Sequence, residues 1–286
     1  MKKCVFLTMD SLDGYRCDDG LLHRPLKKIG WEVVPVSWHR HDIDWDDFEA
    51  VIIRSTWDYQ AQVQAYLRAL EAIDRSSARL ENNFELVRWN IDKSYLKDLE
   101  QKGIKIVPTL WEKNLGQKKI LSFFKKLETS RLVIKPTISA GAHHTFQVSA
   151  DDHEIMSRIE TVSRNRAFMI QPFMNNITLE GEFSVLYFGG EYSHTILKKP
   201  KTDDFRVQEE YGGVNRLVKP EQKLLSRTDQ IMAALDISPL YARVDMVRQK
   251  DDFYLMELEL IEPALYLNLD SESPDRFAAA WGRWMK

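Results

Sequence analysis

The chain has 286 residues, 44% of them hydrophobic and 29% charged, with a formal net charge of −3. That is enough apolar material for a real core, in one large domain or two to three smaller ones, and the charge excludes a general basic field for nucleic acid. Two cysteines, Cys4 and Cys17, form no disulfide framework or metal spacing, and no apolar run fits a signal peptide or a membrane span, so a reduced, cytoplasmic setting is expected.

In chain order, residues 4–9, 31–38 and 49–55 read as strands. A helical segment ending at Gly30 separates the first two, and residues 60–74 read as another helix. This order predicts a small open parallel sheet. From about Asn90, "IDKSYLKDLEQKG" carries Ile91, Tyr95 and Leu99 at helical spacing, with Asn90 or Asp92 as cap and Gly103 as stop. A helix over 117–128, a strand over 131–136 and a small-residue turn "TISAGAHHT" follow. A helix over 151–164, opened by an Asp151–Glu154 capping box, then leads into a strand over 167–173. The last region is mostly antiparallel. Alternating runs around Gly189-Gly190 predict a hairpin, and a helix is expected over 220–236. "YARVDMV" and "FYLMELELIE" flank the polar turn "RQKDD" as a second hairpin, and a helix over 274–285 is the last element. The expected architecture is an α/β domain over 1–88 followed by two α+β lobes, over 89–175 and 176–286, with a cleft between the lobes.

The second hairpin is the most chemically informative stretch. Strand alternation puts Tyr241, Arg243, Asp245 and Val247 on one face. It likewise groups Leu255, Glu257, Glu259 and Ile261, with Met256, Leu258 and Leu260 opposite. In register, Asp245 faces Glu257 and Glu259. Three converging carboxylates repel one another unless a cation is present. Oxygen-only ligands suit Mg²⁺ or Mn²⁺; a solvated face partly neutralised by Arg243 is the plainer alternative. Glu262 falls outside the alternation, because Pro263 interrupts continued pairing.

Other residues are individually weak signals. Lys135 ends a strand and precedes small residues, among them Ser139 and Gly141, whose N–H groups can approach phosphate. Gln171, Pro172, Phe173 and Met174 form a strand-to-linker hinge suited to a purine, and Glu182 at the next strand suits ribose hydroxyls. Ordinary turns, edge strands and surface charge are the alternatives for each.

Their order is more specific than any one of them. Lys93, Lys135, the small-residue turn, the hinge, Glu182, a basic strand and an acidic hairpin resemble the ATP-grasp superfamily over roughly residues 90–264. A nearly full-length likeness, through "RSTWDY", "VRWNIDKSYL", "KPTISAGA", "FGGEYSHTILKKP", "DFRVQEEYGG" and "LMELELIEPALYL", connects it to the D-cycloserine-forming ATP-grasp ligases and their relatives. The resemblance implies an ATP-grasp fold whose two lobes enclose ATP, and an ATP-dependent carboxylate–amine ligase or cyclo-ligase working through an acyl phosphate. It makes Lys93, Lys135, Ser139, Gly141, the hinge, Glu182 and Lys198 ATP ligands, and Asp245, Glu257 and Glu259 ligands of Mg²⁺ or Mn²⁺. Glu259 stands where glutathione synthetase and D-alanine–D-alanine ligase commonly carry asparagine. Arg243, Lys135 and Arg206 become catalytic cations. Arg54, Trp57, Asp58, Tyr59, Arg206, Gly212, Gly213 and Glu262 become substrate contacts, with Arg54 on a carboxylate and Asp58 on an amino group. The expected partners are ATP and a small amino-acid-like molecule, with no nucleic acid and no membrane; a homodimer is open. Two alternatives stand beside this reading: a ligase acting on a peptide or protein, and a non-catalytic ATP-binding regulator. Of the histidines, only His194 is singled out, for its place beside Lys198.

Overall fold

The computed structural model describes residues 1–286 except Ala140, Ala142, Asp203, Phe205 and residues 208–211. The first sheet is parallel, as its sequence predicts: β1 (Lys2–Thr8), β2 (Trp31–Ser37), β3 (Ala50–Ser55) and β4 (Arg79–Glu81) lie in the order β2-β1-β3-β4. Every residue of β3 is buried, the signature of a strand covered on both faces. Helices α1 (His23–Lys28) and α2 (Val63–Asp74) connect the strands. The three-residue β4 was not anticipated, being too short to show a period.

The helix expected from Asn90 is two short helices, α3 (Phe84–Asn90) and α4 (Tyr95–Gln101), broken by a turn that carries Lys93. Asn83 caps α3 by accepting from the Leu86 amide. Asn90 is no cap. Its amide donates to the Leu258 carbonyl at 2.9 Å and its oxygen accepts from the Leu260 amide at 3.0 Å. Asp92 accepts from the Ser94 amide at 2.9 Å and from the Thr137 hydroxyl at 3.0 Å, so the turn is held from both sides.

The second sheet is antiparallel, with β5 (Leu110–Lys113), β6 (Arg131–Pro136), β7 (Phe146–Ser149) and β8 (Ala167–Pro172) in the order β5-β8-β6-β7. Alternation divides β6: Leu132 and Ile134 pack beneath α5 (Gln117–Lys126) and α6 (His153–Val162), while Val133 and Lys135 face the cleft. Asp152, not Asp151, precedes α6, and it accepts from the Ser149 amide; the Asp151–Glu154 capping box does not form.

The five-stranded sheet, in the order β11-β10-β9-β12-β13, is built from β9 (Glu182–Phe188), β10 (Glu191–Lys199), β11 (Val214–Val218), β12 (Tyr241–Gln249) and β13 (Asp252–Glu259). Gly189 and Gly190 form the predicted turn at φ 58° and 80°, values that favour glycine. The short α7 (Asn176–Leu179) precedes β9, and one face of the sheet packs Phe183, Val185, Val244 and Leu258 against α4 and α8 (Gln222–Ala233). On the other face, Leu186, Phe188 and Tyr241 meet the first sheet and α9 (Ser273–Trp284), and polar residues face the cleft. By packing, α3 and α4 therefore sit with the five-stranded sheet rather than with β5–β8.

The face assignment on β13 needs one correction. Asp245 pairs with Glu257, but Met246 pairs with Leu255, so Met256 is an extra, bulged residue. The bulge reverses the phase. Leu255 joins Leu258 and Leu260 in the core, and Met256 packs beside Val107 and Met174 and lines the cleft.

β13 is a sheet edge, and edge groups need partners. The backbone of Leu255 bonds to Lys105 and Val107 at 2.8 and 3.0 Å, and the Leu258 amide donates to the Tyr95 hydroxyl at 2.8 Å. Asn90 takes the next positions, and Asn82 donates to the Leu260 carbonyl at 2.7 Å. The strand that carries the acidic residues is thus fixed along its outer edge by the chain around Lys93.

Candidate active site

The cleft between the two antiparallel sheets is a cavity of about 1160 Å³ that also reaches the C-terminal ends of the first sheet's strands. On one wall lie Lys135, Ser139, Gly141 and residues Gln171 to Met174; on the other lie Glu182, Lys198, Arg243, Asp245, Glu257 and Glu259. The space exceeds the range common for a single drug-sized ligand.

The floor is a mesh of opposite charges. Lys93 donates to the Ser139 carbonyl at 2.5 Å and pairs with Glu257 at 3.1 Å. Arg243 bonds both Asp245, at 3.1 Å, and Glu259. Lys198 pairs with its cross-strand neighbour Glu182 and lies 3.4 Å from Asp245, which also accepts from the Ser184 hydroxyl. Burial works to discharge Lys198, yet Asp245 and Glu182 keep it protonated. Burial also works to raise Asp245 and Glu257; Arg243 with Lys198, and Lys93 with Lys135, nevertheless hold the two carboxyls below their ordinary values. Glu259 is pushed up to about 7, first by burial, against the pull of Arg243. Glu257 and Glu259 keep 26% and 29% of their side-chain surface open, so both are deep in the cleft without being sealed from it.

Lys135 differs from the other cations. Burial lowers its ammonium, and among the described residues no hydrogen bond or ion pair is made to it. A desolvated cation aimed into a cavity is unfavourable in itself and ready for an anion.

The carboxylates are hard oxygen donors on one wall, chemistry that fits Mg²⁺ or Mn²⁺. As placed, they are engaged by Lys93 and Arg243, and among the described residues no three His, Cys, Asp or Glu side chains converge as a ligand set.

At the hinge, the Gln171 side chain donates to Thr109 at 2.9 Å, and the Phe173 amide is already bonded to the Arg131 carbonyl at 2.9 Å. Val133, Met174, Ile177, Val207 and Met256 give this end of the cavity an apolar lining.

The substrate contacts divide. Trp57, Asp58, Tyr59, Glu262 and Arg206 line the cavity. Arg54 does not: it is 1% exposed, paired with Asp19 at 2.9 Å, bonded to the Pro263 carbonyl at 3.0 Å and set over the Tyr241 ring. The expectation of a substrate carboxylate on Arg54 is therefore corrected, because Asp19, opening the short 3-10 helix Asp19–Leu22 between β1 and α1, supplies that carboxylate. Gly212 and Gly213 also fall outside the lining, with Gly212 against the Lys201 side chain; Tyr211 of the same motif is outside the described residues. Asp58 accepts from the Trp38 indole and is bonded to His39, both at 2.7 Å. Arg206 pairs with Asp204 at 2.7 Å. His194 is buried away from the cleft, bonded to the Leu265 carbonyl at 3.0 Å and pushed down to about 4 by burial.

Sequence reading missed Tyr15, Arg16 and Arg166, which line the cavity, and Asn82, Asn90 and Tyr95, which hold β13. The loop residues have no periodicity to mark them. The asparagines stand among charged and polar residues, so nothing in the local pattern marks them either.

This fold and cleft define the ATP-grasp class, and comparison with known families agrees. The chain belongs to the ATP-grasp family: the family model of the prokaryotic glutathione synthetase ATP-grasp domain matches residues 105–269, more than half of it. It is thus an ATP-grasp ligase. Residues 4–82 match the N-terminal domain of D-cycloserine synthetase DcsG. Over 276 residues the chain is 27% identical to the cycloserine biosynthesis protein DcsG of Streptomyces lavendulae, covering 91% of each chain. The crystal structure of D-cycloserine synthetase DcsG superposes with a TM-score of 0.88 at 25% identity, covering 99% of this chain and 100% of that one. Glutathione synthetase of Ralstonia nicotianae (strain ATCC BAA-1114 / GMI1000) is 24% identical over 231 residues, covering 79% of this chain and 67% of the relative.

Proposed function

We propose that the protein activates the carboxylate of a small amino-acid-like molecule with ATP, as an acyl phosphate, and joins it to a nitrogen of the same or a second molecule. The observation that carries this reading is the ammonium of Lys135, unpartnered among the described residues and facing Glu257, Glu259 and Arg243 across a cleft large enough for a nucleotide and a substrate. Lys93, Lys135, Ser139 and Gly141 hold the phosphates. Val133, Met174 and Met256 sandwich the purine beside the Gln171–Phe173 hinge, and Glu182 accepts from the ribose, with Lys198 orienting it. Asp245, Glu257 and Glu259 would hold magnesium or manganese, which supplies charge neutralisation at the phosphates. Lys135, Arg206 and Arg243 offset the charge that grows on the transferred group. Charge neutralisation by fixed cations is the kind of term that dominates phosphoryl transfer, because little covalent chemistry is left to the protein.

The substrate lies toward the first sheet, among Trp57, Asp58, Tyr59 and Glu262. Arg16, exposed on the cavity wall and paired with Asp18 at 4.0 Å, takes the carboxylate role once expected of Arg54. The likeness to a cycloserine-forming protein favours an aminooxy nitrogen as nucleophile. Closing such a nitrogen on the carboxyl of the same amino acid gives a five-membered ring.

The test is ADP and phosphate release against a panel of amino acids, dipeptides, O-substituted serines and both enantiomers of 2-amino-3-(aminooxy)propanoate. Substrate-stimulated release, lost in Glu257→Gln, is the expected result. No stimulation by any compound, with ATP binding intact, would favour a regulator instead.

A further inference from the structure

Glu262 is the carboxyl group that the phosphate and metal chemistry does not use. It follows the last residues of β13, where Pro263 ends the pairing, and its side chain lines the cavity between the Glu257–Glu259 floor and the Trp57–Tyr59 wall. Its main chain is pinned there: the Trp57 indole donates to the Glu262 carbonyl at 3.0 Å, and the Tyr241 hydroxyl is 2.8 Å from the carbonyl of Ile261. Among the described residues no side chain donates a hydrogen bond to its carboxylate. The charged and titratable groups facing it are Glu259 on β13, Lys93 in the α3–α4 turn, Arg243 and Tyr241 on β12, Tyr59 after β3, and Tyr66 on α2. Burial and the charge of Glu259 push it up to about 8.

An attacking nitrogen must shed a proton as it forms the new bond, and the floor carboxylates Asp245, Glu257 and Glu259 are already paired with Lys198, Lys93 and Arg243. Resting on the ligase reading above, we propose that Glu262 is the base that accepts this proton. The nitrogen lone pair forms the C–N bond to the activated carbonyl carbon. The C–O bond to phosphate breaks and its electron pair leaves with phosphate. The N–H proton passes to a Glu262 carboxylate oxygen. The same oxygen accepts a hydrogen bond from the nitrogen before attack, which orients it.

Rapid-quench single turnovers with ATP and 2-amino-3-(aminooxy)propanoate separate this role from the first step. In Glu262→Gln, which keeps shape and loses only the basic oxygen, ADP should form near the wild-type rate while C–N product formation falls about 100-fold or more. Glu262→Asp should recover part of the loss. Product formation by Glu262→Gln at the wild-type rate overturns the proposal. A parallel fall in ADP and product also overturns it, since that marks a binding or structural role. No ADP formation by the wild type, with this compound or across the panel, removes the ligase reading and the proposal with it.

Discussion

In the proposed reaction Lys135 serves catalysis at a cost to the resting protein. Its neighbours on β6 alternate into a packed core, so the strand cannot turn it elsewhere. Without an anion it is a desolvated charge, and burial accordingly lowers its proton affinity. Lys135→Met should therefore leave thermal stability unchanged or higher in the absence of nucleotide, while cutting kcat by about 100-fold or more. Calorimetry beside steady-state ADP release checks both halves; a destabilised variant would mean that Lys135 is held by contacts in the protein. Strand alternation put Lys135, Asp245, Glu257 and Glu259 on faces that do line the cleft, while the roles given to them came from the family resemblance. Arg54 was misread because its partner Asp19 is remote in sequence, and an unpaired arginine near a strand end looks like a ligand site.

At the scale of elements, the strands and most helices could be read from periodicity and stop signals, whereas the β13 bulge and the α3–α4 break could not. A bulge is a property of two strands in register, and "LMELEL" alternates equally well without it. The break depends on Asn90 serving the edge of β13, a tertiary contact that overrides helical spacing. His194 on β10 belongs to this scale too, since its imidazole joins the strand to the Leu265 segment at 3.0 Å. Burial pushes it down to about 4 from an ordinary 6.5. Above pH 6.5 it is neutral in both folded and unfolded chains and exerts no pull. Between pH 6.5 and 4 the unfolded chain takes up a proton that the folded one refuses, so folding stability falls by about 3 kcal/mol across that window. Urea titrations from pH 7 to 4 should show this loss in the wild type and a shallower one in His194→Gln, whose amide can still donate to the Leu265 carbonyl. Equal slopes would contradict the assignment.

For the whole molecule, the decisive feature is that the first sheet is locked to the five-stranded sheet. Asn82 is fully buried; it donates to the carbonyls of Tyr241 and Leu260 at 2.9 and 2.7 Å and accepts from the Leu240 amide at 2.7 Å. The cavity wall of Trp57 to Tyr59, proposed above to bind the substrate, is thereby fixed relative to Glu259 and Glu262. Asn82→Ala strands three buried backbone groups and should cost about 3 kcal/mol, read as a lower urea midpoint, with a raised KM for the substrate and little change for ATP. An unchanged substrate KM would mean the first sheet does not form the substrate wall. This lock was not legible in the sequence, because "ENN" after an unrecognised strand reads as a loop.

The central claim is that ATP activates a carboxylate of the substrate. Its most direct test is isotope transfer with 2-amino-3-(aminooxy)propanoate labelled with ¹⁸O in the carboxyl group, followed by mass analysis of the phosphate released. An acyl phosphate predicts that phosphate carries one labelled oxygen per turnover. Unlabelled phosphate accompanying ADP would mean that water attacks ATP directly, and would contradict the account.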